Sequence, residues 1–262
     1  MNPYTSIAPD SSNPNPWYVC SHVNPGAETR LFLFPYAGGG PSVFGKWLGK
    51  LPSYVEGYIA HYPGRGSRHQ EPPINRLPVL VERLYQAIQP LLDKPFAFFG
   101  HSLGALVSFE LTRQLRRNNL PQPTILFVSA SDAPHLPDPH QSIHKLGDEE
   151  FLLALQKLEG IPSELINQSD IMELFLPVLR ADFEAIESYD YLPGEPLNIP
   201  IMVFGGLADP RVSRKYLEGW ASHTNASFKL QYLPGDHFFI NTAKASVIDL
   251  ITTELKSSHA KN

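Results

Sequence analysis

Six short runs of apolar and β-branched residues punctuate the chain, at residues 30–36 (RLFLFPY), 55–62 (VEGYIAHY), 95–100 (PFAFFG), 124–130 (TILFVSA), 200–206 (PIMVFGG) and 228–233 (FKLQYL). Continuous apolar runs of this length fit strands covered on both faces, as in a parallel sheet. Between them the apolar positions change period. Ile74, Leu77, Val81, Leu84, Ile88 and Leu91 fall on one helical face, as do Leu103, Leu106, Val107, Leu111 and Leu115. Strand and helix in alternation predict an α/β fold with a mainly parallel central sheet flanked by helices on both faces. Residues 136–197 break the rhythm: they carry only helical spacing (DEEFLLALQKLEG, then SDIMELFLPVLRADFEAIESYDYL), interrupted by Pro and Gly. An insertion of that size between two strands is expected to form a helical lid over the strand ends. Residues 1–29, rich in Pro, Asn and Ser, read as an extended arm. No internal repeat is present, and residues 1–262 read as one domain.

Composition narrows the partners. At 262 residues and 42% hydrophobic, the chain can bury a sizeable core. Its formal charge is -5, with Lys and Arg scattered, which argues against nucleic acid and anionic membrane as ligands. Nowhere do enough apolar residues run together to span a bilayer, and the N-terminus lacks a basic segment followed by an apolar one. The single cysteine, Cys20, rules out an internal disulfide and suits a reducing compartment. A cytoplasmic monomer is expected.

The chemistry centres on Gly100-His101-Ser102-Leu103-Gly104, a G-x-S-x-G match. The pattern alone arises by chance in roughly one chain in ten of this length, so its context decides. Here an apolar strand precedes it and a helical period follows. A strand turning that sharply into a helix strains the central residue and crowds its neighbours, which explains a glycine on each side. The turn lifts the serine oxygen above the sheet and leaves the Leu103 amide at a helix N-terminus, where developing negative charge is favoured. A serine acting only as an N-cap would explain Ser102 but not both glycines. In the α/β-hydrolase arrangement the acid and the histidine follow the nucleophile in that order, each after a later strand. His237, just beyond residues 228–233, has the required position, and Asp209, after residues 200–206, can orient it. Asp182, inside the expected lid, and Asp236, adjacent to His237, are the rival acids. The Gly-rich turn after the first run (FPYAGGG) is expected to add the amide of Ala37 to that of Leu103 in an oxyanion hole.

With these segments in place the chain resembles the stand-alone, or type II, thioesterases of nonribosomal peptide and polyketide synthesis. The resemblance extends over nearly the whole chain and is carried by FPYAGGG, YPGRGSR (62–68), FGHSLGA (99–105), LRADFEAIESY (179–189), FGGLADPRV (204–212) and GDHFF (235–239). It implies an α/β-hydrolase fold, a triad of Ser102, Asp209 and His237, and an oxyanion hole of Ala37 and Leu103. It also implies an acyl group held as a thioester on the phosphopantetheine arm of an acyl- or peptidyl-carrier protein as substrate, with no metal or cofactor. Tyr36 departs from the resemblance, since many relatives carry His there; pocket shape rather than catalysis should feel it. A general carboxylesterase or lipase, an acyltransferase using the same turn, and a non-catalytic carrier-binding module are the alternatives. His135, His140 and His144 fit no standard metal-ligand spacing and read as a solvated hinge into the lid. Three arginine groups could dock an acidic carrier: Arg113, Arg116 and Arg117; Arg65 and Arg68; Arg211 and Arg214.

Overall fold

The alternation of apolar side chains along each central strand decides the layering. In β2 (Thr29–Phe34), Leu31 and Leu33 point to one side of the sheet and Phe32 and Phe34 to the other, and all four are fully buried. In β4 (Phe96–His101), Phe96 and Phe98 oppose Ala97 and Phe99 in the same way. Such strands need helices on both faces. The structure, a computed structural model describing residues 15–137, 141–157 and 169–259, provides them. Helices α2 (Leu77–Ile88) and α3 (Leu103–Arg117) cover one face through Leu84, Ile88, Leu111 and Leu115. On the other, α1 (Ser42–Leu48) brings Phe44 and Trp47, and α8 (Lys244–His259) brings Val247, Ile251 and Leu255.

The remaining strands are β1 (Tyr18–Val19), β3 (Val55–Ala60), β5 (Leu126–Ser129), β6 (Ile201–Gly206) and β7 (Phe228–Leu233). The sheet order is β1-β3-β2-β4-β5-β6-β7, parallel throughout except for the antiparallel pairing of β1 with β3. All six runs marked by the sequence are strands. The seventh, β1, lies where an arm is expected; residues 1–14 of that arm fall outside the described residues. Tyr18 ties β1 down: it is fully buried, its hydroxyl donates to Leu84 O at 3.2 Å, and its ring meets Phe32 edge-on at 5.4 Å. Cys20 is packed in the same core.

Strand order reverses between β2 and β4, so the turns leaving their carboxyl ends sit side by side, the usual place for a ligand in such a sheet. Between β5 and β6 lie α4 (Asp148–Lys157) and α5 (Ser169–Glu187), with no strand among the described residues there beyond an isolated bridge from Leu197 to Thr224. Ile143, Phe151, Leu155, Leu179 and Phe183 form a small apolar cluster of their own, against which Ala37 packs. Short helices α6 (Arg214–Glu218) and α7 (Phe239–Thr242) follow β6 and β7. No helix among the described residues is long and apolar enough to cross a membrane.

Candidate active site

Ser102 stands between β4 and α3 at φ 54 and ψ -118, a conformation side-chain-bearing residues rarely adopt. The crowding expected of the turn is present. A Cβ on Gly100 would lie 2.1 Å from Gly104 O, and one on Gly104 would lie 2.0 Å from Phe34 O and 2.8 Å from Pro35 O. The start of α3 therefore rests directly on the end of β2. Two bonds hold the turn: Ser102 N–H donates to Ser129 O at 2.8 Å, and Ala105 N–H to Ser102 O at 2.9 Å. As the first residue of α3, Leu103 has an N–H without an acceptor inside the helix.

Asp209 and His237, from the loops after β6 and β7, meet. The His237 Nδ1–H donates to Asp209 Oδ2 at 2.9 Å, with both side chains almost wholly buried. The other carboxylate oxygen accepts the backbone N–H groups of Arg211 at 2.8 Å and Val212 at 3.3 Å. Burial pushes the Asp209 carboxyl up, but these hydrogen bonds and the imidazole outweigh it and hold it below its ordinary value. His237 is pulled below its ordinary value by burial, helped by the Arg211 charge and resisted by Asp209. Its ring is thus neutral at pH 7, with Nε2 buried and lacking a hydrogen-bond partner among the described residues. Asp236, the rival beside it, instead caps its own turn by accepting Phe238 N–H at 2.8 Å.

His101, the residue before Ser102, is the floor under this imidazole. It is fully buried, its ring centroid lies 5.4 Å from that of His237, and its Nδ1 is in hydrogen-bond contact with Ser129 Oγ at 2.9 Å. Burial and the neighbouring imidazole hold it well below its ordinary value. Tyr36 joins the same aromatic wall, 5.0 Å from Phe238 and 5.7 Å from His101 between ring centroids.

After β2 the chain makes a tight turn, closed by Gly39 N–H donating to Tyr36 O at 2.9 Å, with Ala37 and Gly38 as its central residues. Gly38 has φ 76, which a turn with its second central residue in the left-handed region requires. Asp182, the other rival acid, belongs to this turn and not to His237: its Oδ2 accepts Gly38 N–H at 2.7 Å. It also pairs with Arg65 through two bonds, at 2.6 and 2.8 Å.

That pairing alters the arginine groups. Arg65 is buried against Asp182, and Arg68 is buried between Glu71 and the Trp17 ring, so neither is presented to a partner. Arg113 and Arg116 hold the carbonyls of Leu192, Glu195 and Pro196 at the end of the β5–β6 insertion. Arg211 lies 5.9 Å from the Phe183 ring, while Arg117 and Arg214 are exposed. His135 contacts His223 at 2.8 Å, His144 bonds to Glu187, and His140 lies outside the described residues.

Comparison with known proteins gives this arrangement a context. The model of the thioesterase domain family matches residues 29–255. Gramicidin S biosynthesis protein GrsT of Aneurinibacillus migulanus is 42% identical over 245 residues, spanning 94% of this chain and 96% of its own. Linear gramicidin dehydrogenase LgrE of Brevibacillus parabrevis is 42% identical over 248 residues, 94% of each chain. Among solved structures, the RedJ thioesterase from the prodiginine pathway of Streptomyces coelicolor superposes with a TM-score of 0.83 at 36% identity, covering 88% of this chain and 92% of its own.

Proposed function

The chain belongs to the thioesterase family, alongside type II thioesterases of nonribosomal peptide and polyketide pathways, and from that premise we propose that it hydrolyses acyl groups from the phosphopantetheine arm of carrier proteins, with Ser102, His237 and Asp209 as its triad. The single observation that carries the site assignment is the buried Asp209–His237 pair, whose Nε2, without a hydrogen-bond partner among the described residues, belongs to a ring packed on the residue preceding Ser102. The strained backbone at Ser102 supports the nucleophile role. The site combines a nucleophile on a sharp turn, a neutral base and a glycine-rich turn, which are the parts of acyl transfer. The reading therefore follows the thioesterase relatives and not the dehydrogenase name carried by LgrE.

In this reading His237 Nε2 takes the hydroxyl proton as Ser102 Oγ bonds to the thioester carbon, and the Leu103 and Ala37 amides donate to the developing oxyanion. The tetrahedral species collapses by breaking the carbon–sulfur bond, and the departing sulfur takes the proton from His237 Nε2, which leaves the ring neutral for the second half. A thiol of pKa about 8.5 leaves readily, so the proton on His237 has less to do than with an alkoxide. Asp209 stabilises the imidazolium meanwhile. Water then gives its proton to His237 and its oxygen to the acyl carbon, which frees the acid and returns the proton to Ser102. Helices α4 and α5 act as a lid over the strand ends, with Leu179 and Phe183 on the face toward the turn after β2.

Incubation with an acyl-phosphopantetheinyl carrier protein, followed by mass measurement of the carrier, tests the proposal. The acyl mass should disappear with the wild type and persist with Ser102→Ala. Persistence with both, in protein whose Ser102 labels with a fluorophosphonate, would exclude carrier thioesters as substrate.

A further inference from the structure

Asp182 raises a question the triad does not answer. It lies on α5, on the same face as Leu179 and Phe183, and only 1% of its surface is exposed. A carboxylate set among apolar residues is costly unless paired and hydrogen-bonded, and buried ion pairs are weak devices for stability alone. This one is fully engaged. Oδ1 and Oδ2 take the two ends of the Arg65 guanidinium, and Oδ2 also accepts Gly38 N–H. Arg65 in turn donates from Nη1 to Gly39 O at 3.2 Å and from Nε to Pro63 O at 3.2 Å, with its guanidinium 5.3 Å from the Tyr62 ring centroid. The ion pair thus grips the glycine turn by an N–H and by a C=O, on the two residues that follow Ala37. Leu179, one turn before Asp182 on α5, closes on the same spot, since a Cβ on Gly38 would come 2.6 Å from its Cδ2.

We propose that Asp182 and Arg65 are positioning residues that fix the 36–39 turn so that the Ala37 amide is aimed at the oxyanion, and that the seating of α5 is thereby read directly by the transition-state hydrogen bonds. The inference rests on the acyl-transfer reading of the site and adds to it a link between the insertion and the chemistry. Three segments far apart in sequence, the 36–39 turn, the loop carrying Arg65 and α5, meet at one carboxylate. An amide donor pays off in catalysis only when held still at its place, so loosening its turn should weaken transition-state binding more than substrate binding.

The test compares wild type, Asp182→Asn and Arg65→Lys on an acyl-N-acetylcysteamine thioester, with rates normalised to the fraction of Ser102 that a fluorophosphonate labels at completion. Asparagine keeps the shape and one oxygen but turns an N–H₂ toward the guanidinium; lysine keeps the charge but loses the fork. Both variants should lose about 10- to 100-fold in kcat with KM within about threefold, less than the loss from deleting an oxyanion donor outright. Affinity for an alkylboronic acid, which forms a tetrahedral adduct on the serine, should fall by a similar factor. A brace with only a structural role would lower the labelled fraction and leave kcat per labelled site and boronate affinity unchanged, which overturns the proposal. Should Asp182→Asn fail to fold, Arg65→Lys decides alone. Absence of labelling in the wild type would instead overturn the triad reading.

Discussion

Ser102 holds a conformation that costs about 1–3 kcal/mol for a residue with a Cβ, at φ 54 and ψ -118. Glycine adopts that region freely, so Ser102→Gly should raise unfolding stability by about 1 kcal/mol, after allowing for glycine's extra freedom in the unfolded chain. Ser102→Ala keeps the Cβ and should not. Chemical denaturation of the two variants side by side checks this; equal stability would mean that the turn carries no strain at Ser102. Asp209→Asn tests the partner group. Losing the carboxylate that orients His237 should lower kcat by about 10³- to 10⁴-fold. Because burial holds His237 below its ordinary value and only neutral imidazole can accept the proton, the acid limb of kcat/KM should lie below pH ~6.5. A limb at or above that pH would contradict a buried base. Ser102, Asp209 and His237 can be singled out in sequence as the proposed triad because each follows a strand, where a position rule applies. Asp182 is harder to read. The signal was there, since Leu179, Asp182, Phe183 and Ile186 fall on one helical face and a carboxylate in an apolar stripe calls for a buried cation. What spacing cannot give is the identity of that cation, Arg65, 117 positions away.

At the level of elements, the junction of β4 and α3 is set by contact between backbones. The oxygens that a Cβ at Gly100 or Gly104 would strike belong to main chain, Gly104 O at 2.1 Å and Phe34 O at 2.0 Å, so no rotamer change can make room. Gly100→Ala and Gly104→Ala should each destabilise by about 3 kcal/mol or more, beyond ordinary overpacking. Gly49→Ala is the control: it ends α1 at φ -72 with nothing within 4 Å of an added Cβ, and its change should stay within about 1 kcal/mol. Thermal or denaturant midpoints for the three separate the two cases, and a tolerated Gly104→Ala would show that α3 can lift off β2. The strands were readable because both faces of each are covered, which leaves an unbroken apolar run. Strand β1 was not, since two residues flanked by turns have no period; its place is fixed by Tyr18 reaching the core. Strand β7 shows the intermediate case. As an edge strand it alternates, with Lys229 and Gln231 exposed and Lys229 paired to Glu254 on α8.

Across the whole molecule, the histidines link fold and pH. His61, His101, His223 and His237 are all buried, and all lie below their ordinary value. Burial is the leading cause in each, and neighbouring basic groups add to it: Arg68 and Arg65 at His61, the His237 ring at His101, and the His135 ring and Arg113 at His223, which is driven down to about 4. In the unfolded chain these imidazoles protonate near pH 6.5. Below that pH the unfolded state binds protons that the folded state refuses, so stability is complete above it and is lost as pH falls toward the folded values. Carboxylates held low by their partners, Asp209 and Glu187 among them, act in the same direction only at lower pH, below about 4. The two sets therefore separate on the pH axis. Urea midpoints should be flat from pH 8 to 7, fall between pH 6.5 and 5 while the carboxylates are still ionised, and fall again in stronger acid. The first step belongs to the imidazoles, among them the proposed base His237 and the His101 ring packed against it, so the candidate site sets part of the acid sensitivity of the fold. A midpoint that stays constant from pH 8 to pH 5 would mean that the folded protein protonates these rings as readily as the unfolded chain, and a neutral His237 shielded by burial would then be untenable.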